Sequence, residues 1–97
     1  MATYVSLVSF TDQGIRNVKQ SPERAQAFAE MAEKGGARVK DIYWTLGPYD
    51  AIAIVDGPDD ETAMSLLLAL GGAGNVRTQT MRAFSAEEMR TILGKLP

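Results

Sequence analysis

The sequence contains no cysteine and no histidine among its 97 residues. Without cysteine, the chain has no disulfide, no thiolate nucleophile and no Cys-ligated zinc or iron–sulfur cluster. Without histidine, it lacks the commonest metal ligand, the usual general base near neutral pH and the usual protein ligand of haem iron. Any acid–base chemistry must therefore come from Asp, Glu, Tyr, Lys or water, and we expect no cofactor.

A basic surface and long apolar runs are also missing. The net charge is −2, and the ten Lys and Arg residues are spread along the chain, which argues against a nucleic-acid partner. No run approaches the roughly 20 apolar residues of a membrane span, and the N-terminus lacks the basic start and apolar stretch of a signal peptide. We therefore expect a cytoplasmic protein with no membrane partner.

The composition, with 45% hydrophobic and 23% charged residues, is typical of one globular domain over residues 1–97. A chain of this size buries only roughly 60 to 65% of its unfolded surface, so a second copy would hide more. We expect a homodimer or a higher homo-oligomer. The alternative is a monomer whose terminal helix folds across the sheet.

The first third of the chain predicts a strand, a loop and a helix. Residues 3–11 mix β-branched, aromatic and small polar residues and predict a strand, whereas residues 11–20 predict a polar loop. Residues 21–36 predict a helix, with Ser21 as N-cap, a proline in the first turn and two glycines at the end. Its apolar stripe, suited to packing on a sheet, consists of Ala25, Phe28, Ala29 and Ala32.

The rest of the chain predicts two strands in a hairpin, a helix, a strand and a last helix. A tight turn at residues 47–49 joins the two hairpin strands, and a capping box of Ser85 and Glu88 begins the last helix. Met64 and Leu68 form an extra apolar stripe on the preceding helix, which the last helix could cover. The predicted segments are residues 37–47, 49–57, 58–74, 75–84 and 85–96.

A three-residue turn would pair Trp44 with Ile52 and Ile42 with Ile54, so that these large side chains lie under the helices and Trp44 belongs to the core. A slip of one residue would exchange Trp44 and Tyr43 between the two faces of the sheet. In this register the opposite face carries Tyr43, Thr45, Ala51, Ala53 and Val55.

The order β, α, β, β, α, β and a C-terminal helix predicts a ferredoxin-like α+β fold, with a four-stranded antiparallel sheet and two helices on one face. The other face of the sheet would be apolar, and two copies packed face to face would form a dimeric α+β barrel that could enclose a cavity. The residues expected on this open face are Tyr4 or Val5, Val8, Ala51, Ala53, Val55 and Met81.

In this topology residues 11–14 meet the starts of the third and fourth strands at one polar end of the sheet, where loops commonly carry binding groups. Asp50 could act as a base or ligand anchor, or it could fix loop N–H groups. Arg77 could hold an anionic substrate or pair with Asp50 or Asp12. The candidate ligand-binding residues are Asp50, Arg77, Tyr49, Gln13 and Asn75 at this end, with Tyr43, Ser6 and Thr80 on the cavity wall.

Two further patterns favour plain structural roles. The glycines of "LGGAGN" follow a helix and precede no Lys-Ser/Thr pair, so they predict a helix end rather than a phosphate loop. The acidic residues around "DGPDDE" could attract Mg²⁺, but they also suit the first turn of a helix and need no metal there.

The stretches "FTDQGI", "IYWTLGPYDAIAIV", "PDDETA" and "GNVRTQTMRAFSAEEM" resemble the GYD domain family of small bacterial and archaeal proteins. The most specific part of this resemblance is Leu46-Gly47-x-Tyr49-Asp50 together with residues 74–78. The resemblance implies the dimeric α+β barrel fold and a face-to-face dimer, but it implies no activity. Related barrels include monooxygenases, isomerases and haem proteins, and the missing histidine weighs against the haem-dependent ones.

We therefore expect a GYD-like homodimer that binds a small organic molecule at its polar end or in a cavity between the sheets, with catalysis free of metal and haem as an open question. The alternative is a non-enzymatic assembly or regulatory module whose polar cluster only stabilises loops. Polar side chains that form hydrogen bonds to backbone groups of the loops would favour this second interpretation.

Overall fold

The computed structural model describes residues 1–97 and confirms the ferredoxin-like α+β fold. Four antiparallel strands form one sheet in the order β2-β3-β1-β4. The bounds are β1 Ala2–Phe10, α1 Asp12–Arg16, a 3-10 turn Val18–Gln20, α2 Ser21–Lys34, β2 Arg38–Trp44, β3 Ala51–Gly57, α3 Asp60–Gly72, β4 Val76–Ala83 and α4 Ala86–Leu93. None of the helices combines the length and the apolar character that crossing a membrane requires.

The prediction of a loop over residues 11–20 was wrong, because this segment folds into α1 and the 3-10 turn. The side chain of Thr11 caps α1 by accepting a hydrogen bond from the Gly14 N–H. The next helix, α2, starts without a side-chain cap. Ser21, predicted as that cap, instead accepts a hydrogen bond from the indole of Trp44 at 2.9 Å.

The predicted hairpin register was also wrong, because residues 45–50 form a six-residue connection and not a tight turn. Trp44 pairs with Ala51, and Ile42 pairs with Ala53. Trp44 therefore pairs one residue earlier in β3 than the three-residue turn predicts, and the Asp50 N–H that precedes β3 donates to the Val8 carbonyl of β1 at 2.8 Å.

The shift exchanges the two faces of β3. Its alanines and Val55 now lie under the helices, together with Val8 of β1, so these four residues do not lie on the open face as predicted. Of the predicted alternatives Tyr4 and Val5, Val5 lies on the open face and Tyr4 is buried. The main core cluster consists of Phe28, Ala32, Ala37, Ala53, Val55 and Leu66. The open face instead carries an apolar patch of partly exposed side chains, which cross-strand pairing places together. The residues of this patch are Val5, Leu7, Tyr43, Ile52, Ile54 and Met81.

The molecule is less compact than a monomer of its mass normally is. Its accessible surface is 6562 Å², whereas a monomer of 10.5 kDa is expected to expose about 5,400 Å². Its radius of gyration is 14.6 Å, against about 12.5 Å for a compact chain of this length. The surface left open is therefore large for a protein that works alone.

Helix α4 contributes to this open shape. The predicted capping box is confirmed: Ser85 accepts from the Glu88 N–H, and the Glu88 carboxylate accepts from the Ser85 N–H, which lowers the pKa of Glu88. However, α4 does not cover the stripe on α3 as expected. Met64 and Leu68 remain 57% and 64% exposed. Trp44, predicted to belong to the core, is 47% exposed.

Candidate functional site

The predicted polar end is present, and its centre is a hydrogen-bonded junction between α1 and the loop before β4. The Thr11 N–H donates to the Asn75 carbonyl at 3.1 Å, and the Thr11 hydroxyl donates to the Gly74 carbonyl at 2.6 Å. The Gln13 amide donates to the Asn75 side-chain oxygen at 3.0 Å and to the Ala73 carbonyl at 3.2 Å. Gln13 and Asn75 therefore join two segments of the chain.

Asp50 also bonds to the backbone. One oxygen of its carboxylate accepts a hydrogen bond from the Phe10 N–H at 2.8 Å, at the point where β1 ends. The Asp50 carbonyl accepts from the Thr45 N–H at 2.9 Å, and the Thr45 hydroxyl donates to the Tyr49 carbonyl at 2.7 Å. The carboxylate that precedes β3 thus anchors the 45–50 connection to the end of β1.

Replacing Asp50 with alanine leaves the Phe10 N–H without its side-chain acceptor. We expect Asp50→Ala to lower the free energy of unfolding by about 1 to 2 kcal/mol, and Asp50→Asn to cost less because an amide oxygen still accepts. Urea denaturation followed by circular dichroism measures both. Glu33→Ala is the control, since Glu33 on α2 is exposed and its side chain makes no hydrogen bond or ion pair. Equal stability of the Asp50→Ala and Glu33→Ala proteins would contradict the anchoring role.

The remaining candidates of the polar end point along the open face. Arg77 is exposed, pairs with Ser9 in the sheet register and forms neither of the ion pairs predicted with Asp50 or Asp12. The Tyr49 hydroxyl donates to the Gln79 side chain at 3.0 Å. Tyr43 lies on the open face and pairs with Ile52. Arg77 and Tyr49 therefore do not converge with Asp50 into a single pocket.

Ser6 and Thr80 were predicted to line a cavity between two sheets, and this prediction was wrong. Both residues lie on the helix side of the sheet. Their hydroxyls are 2.7 Å apart, and Ser6 pairs with Ala53 in the strand register. The reason is the parity of β1, whose buried positions are Tyr4, Ser6 and Val8. Any ligand that Ser6 contacts must lie between the sheet and the helices.

A second polar cluster, at the opposite end of the sheet, was missed by sequence reasoning. Buried Tyr4 donates a hydrogen bond to Asp60, whose carboxylate also lies 3.9 Å from the Arg82 guanidinium. Arg82 stacks over Phe84, with its guanidinium carbon 4.6 Å from the ring centroid. The sequence signal that could have revealed this cluster is the two-residue spacing of Tyr4, Ser6 and Val8 in β1, because residues at this spacing share one face of the strand. The cluster ties α3 to β1 and β4.

The hydrogen bond to Asp60 raises the pKa of Tyr4 above its ordinary value, and burial adds to this effect. Because the folded protein holds this proton more tightly than the unfolded chain, the stabilisation is complete below the unfolded pKa of about 10 and is lost as the pH rises through the folded pKa. We expect the stability advantage of the wild type over Tyr4→Phe to shrink above pH 10, as measured by urea denaturation between pH 7 and 11. Tyr43→Phe, at an exposed tyrosine without a hydrogen bond, should follow the wild type across this range.

The acidic residues at the start of α3 have structural partners. The Asp59 carboxylate caps α3 by accepting from the Thr62 N–H at 2.7 Å, which lowers the pKa of Asp59. Asp60 binds Tyr4, and Asp56 accepts from the Thr3 hydroxyl at 2.9 Å. These side chains point to separate partners and do not converge on one point.

The GYD domain family model matches residues 4–93, which is nearly the whole chain. The chain belongs to the GYD domain family. This GYD domain protein is 32% identical, over 90 residues, to a protein of Thermus thermophilus named "Glutamine synthetase and cystathionine beta-lyase binding protein". The match covers 92% of this chain and 95% of the relative.

Solved structures support the same fold. A crystal structure of a Thermus thermophilus protein superimposes with a TM-score of 0.58 and 27% identity, and the match covers 89% of the GYD domain protein and 96% of the other chain. The crystal structure of MtbAldR gives a TM-score of 0.59 at 16% identity over 87% of this chain, which shows the fold alone. The match covers 52% of that second protein.

Proposed function

We propose that this GYD domain protein is a non-enzymatic binding module that forms a homodimer through the open face of its sheet and binds a partner enzyme. The observation that carries this proposal is the use of the polar end. Asp50 binds the Phe10 N–H, and Gln13 binds Asn75 and the Ala73 carbonyl, so these side chains stabilise loops. That is the arrangement expected of an assembly or regulatory module.

The apolar patch on the open face supports dimerisation. Tyr43, Ile52 and Leu7 lie side by side on neighbouring strands, and Ile54, Val5 and Met81 form the next row. A soluble monomer rarely exposes so contiguous an apolar patch. Two such sheets packed face to face bury it on both copies and bring the exposed surface of each copy closer to that of a compact protein. The dimer is thus the α+β barrel that the sequence predicts.

Binding of an enzyme is supported by the relative, whose name describes a protein that binds glutamine synthetase and cystathionine β-lyase. After the open faces are paired, the outer surface of α3 still carries Met64 and Leu68, both more than half exposed. Exposed methionine and leucine four residues apart on a helix form a continuous apolar contact. We assign this outer stripe of α3 to the partner enzyme.

Isothermal titration calorimetry tests the enzyme partner. Glutamine synthetase and cystathionine β-lyase from the organism that encodes this chain are each titrated with the protein. We expect a dissociation constant in the micromolar range for at least one enzyme, or about −8 kcal/mol. Leu68→Lys should weaken binding at least tenfold, because a charge enters the apolar stripe. The control Glu33→Lys adds the same side chain to an exposed position of α2, away from the open face and from the α3 stripe, and should bind like the wild type.

The absence of heat with both enzymes at about 100 μM, a concentration far above a micromolar dissociation constant, would contradict the proposed partners if it holds at two well-separated temperatures, because burial of an apolar stripe makes the binding enthalpy change with temperature. Binding that Leu68→Lys leaves unchanged would contradict the assignment to α3 and leave the partner class intact. The roles of Asp50, Arg77 and Tyr49 toward a ligand stay predictions, as does the cytoplasmic location.

A further inference from the structure

A cavity of about 290 Å³ lies between the sheet and helices α2 and α3. It sits on the opposite side of the sheet from the open face and is distinct from the cavity predicted between two sheets. Small side chains create it: Ala51 and Ala53 of β3 form its floor, and Ala25 of α2 and Ala69 of α3 form its helical walls. No large side chain occupies the space that these alanines leave.

The walls of the cavity select an apolar ligand. Of its 18 lining residues, 14 are hydrophobic, and they include the rings of Phe10, Phe28 and Trp44. An apolar cavity of about 150 Å³ accommodates benzene, so this cavity has room for a bicyclic aromatic ring system. The proportion of apolar wall with a few polar groups is typical of small-molecule sites.

The four polar lining residues are Ser6, Ser21, Arg24 and Asn75. Ser21 is 8% exposed and accepts a hydrogen bond from the Trp44 indole, but its own hydroxyl hydrogen has no acceptor in the protein. The Asn75 side-chain oxygen is occupied by Gln13, whereas its amide NH₂ donates to no protein group. Two hydrogen-bond donors on the wall are thus free for an oxygen of a ligand.

Arg24 adds a positive charge to the same end of the cavity. Its guanidinium donates to the carbonyls of Asn17 at 2.8 Å and Gly14 at 3.3 Å, and no carboxylate lies within ion-pair distance. A guanidinium without a counterion, next to free donors, favours a carboxylate over a neutral group.

We propose that the cavity between α2, α3 and the sheet binds a small aromatic carboxylate, with the ring between Phe28, Ile42 and Ala53 and the carboxylate toward Ser21, Arg24 and Asn75. This site is separate from the open face and from the outer stripe of α3, so it does not depend on the proposed dimer or enzyme partner. It gives a regulatory module a place for a small effector.

Titration with 2-naphthoate, followed by ¹H–¹⁵N NMR, tests the site. Trp44 is the only tryptophan, so its indole N–H gives a single resolved signal from the cavity wall. We expect saturable shifts of this signal and of the Ala53 amide, with a dissociation constant of about 0.1 to 1 mM for a ligand of this size. The absence of both shifts at about 5 mM, well above that range, would overturn the proposal.

Two variants locate the ligand. Ala53→Leu fills the floor of the cavity and should weaken binding at least tenfold, whereas Ala86→Leu on α4, outside the cavity, should leave it unchanged. If Ala53→Leu does not fold, Ala25→Leu fills the same cavity from α2 and decides the result. Binding that persists within twofold in the folded filling variant overturns the proposal.

The carboxylate is tested separately with 2-naphthamide, the neutral counterpart of 2-naphthoate. We expect Arg24→Gln to weaken 2-naphthoate at least fivefold and to leave 2-naphthamide within twofold, because only the acid uses the charge. A purely structural effect of Arg24 on α1 would weaken both ligands equally, and that result would overturn the assigned ligand class.

Discussion

Gly14→Ala is expected to be the most destabilising alanine substitution at any glycine of this protein. A Cβ built on Gly14 would lie 2.9 Å from the carbonyl carbon of Asn75 and closer still to its oxygen. The two segments cannot easily move apart to relieve this clash. The Asn75 carbonyl oxygen also accepts the Thr11 N–H, and the adjacent Gly74 carbonyl accepts the Thr11 hydroxyl. We expect a loss of about 3 kcal/mol or more, which lowers the melting temperature by roughly 12 to 24 °C.

Differential scanning calorimetry measures this loss, and Gly71→Ala provides the matched control. Gly71 lies in the last turn of α3, and a Cβ there meets nothing within 4 Å. Alanine is favoured over glycine by up to about 1 kcal/mol within a helix and by less in its last turn, so the control should melt at the same or a higher temperature. If Gly14→Ala melts within a few degrees of the control, the close contact between α1 and the loop before β4 is wrong.

Ile52→Lys is expected to dissociate the dimer. Ile52 occupies the centre of the open face, where it pairs with Tyr43 on one side and Leu7 on the other. In a face-to-face dimer its ammonium group would be buried without a counterion, which costs several kcal/mol. In a monomer the same ammonium group reaches water, because the side chain is only partly buried. We expect the dimer dissociation constant to rise by at least about 100-fold, or 2.7 kcal/mol.

Sedimentation equilibrium measures this dissociation constant. Met64→Lys is the control, since it adds the same charge to an apolar position on α3 that the dimer leaves exposed. It should sediment as the wild type does. Far-UV circular dichroism confirms that each variant keeps its fold. A folded Ile52→Lys protein that associates as tightly as the wild type would contradict an interface on the open face.

The sequence predicts the order of elements because each long helix and each strand carries its own periodicity and end signals. The register of β3 was lost for a specific reason. In "AIAIV" both faces of the strand are apolar, so the hydrophobic pattern does not distinguish them. The faces are decided by the hydrogen bonds that join Asp50 to Val8 and Phe10, which are contacts between residues about 40 positions apart. Such contacts are not visible in a local pattern.

The sequence predicted where the candidate site lies but not the hydrogen-bond partners of its side chains. Topology alone brings "TDQG", the 45–50 connection and "GNVR" to one end of the sheet, and the structure has them there. The partners of each side chain depend on a few ångströms of loop geometry, so the use of Asp50 on Phe10 and of Gln13 on Asn75 could not be derived. The cavity next to Trp44 was missed because it follows from the register that places Ala51 and Ala53 under the helices.

Isotope-filtered NMR tests the open face most directly as the contact between two copies. Labelled and unlabelled chains are mixed, and only nuclear Overhauser effects between copies are recorded. The dimer predicts such effects among the side chains of Leu7, Ile52, Ile54 and Met81, which lie together on the open face. Effects confined to Met64 and Leu68 of α3, or the absence of any effect between copies at millimolar concentration, would contradict it.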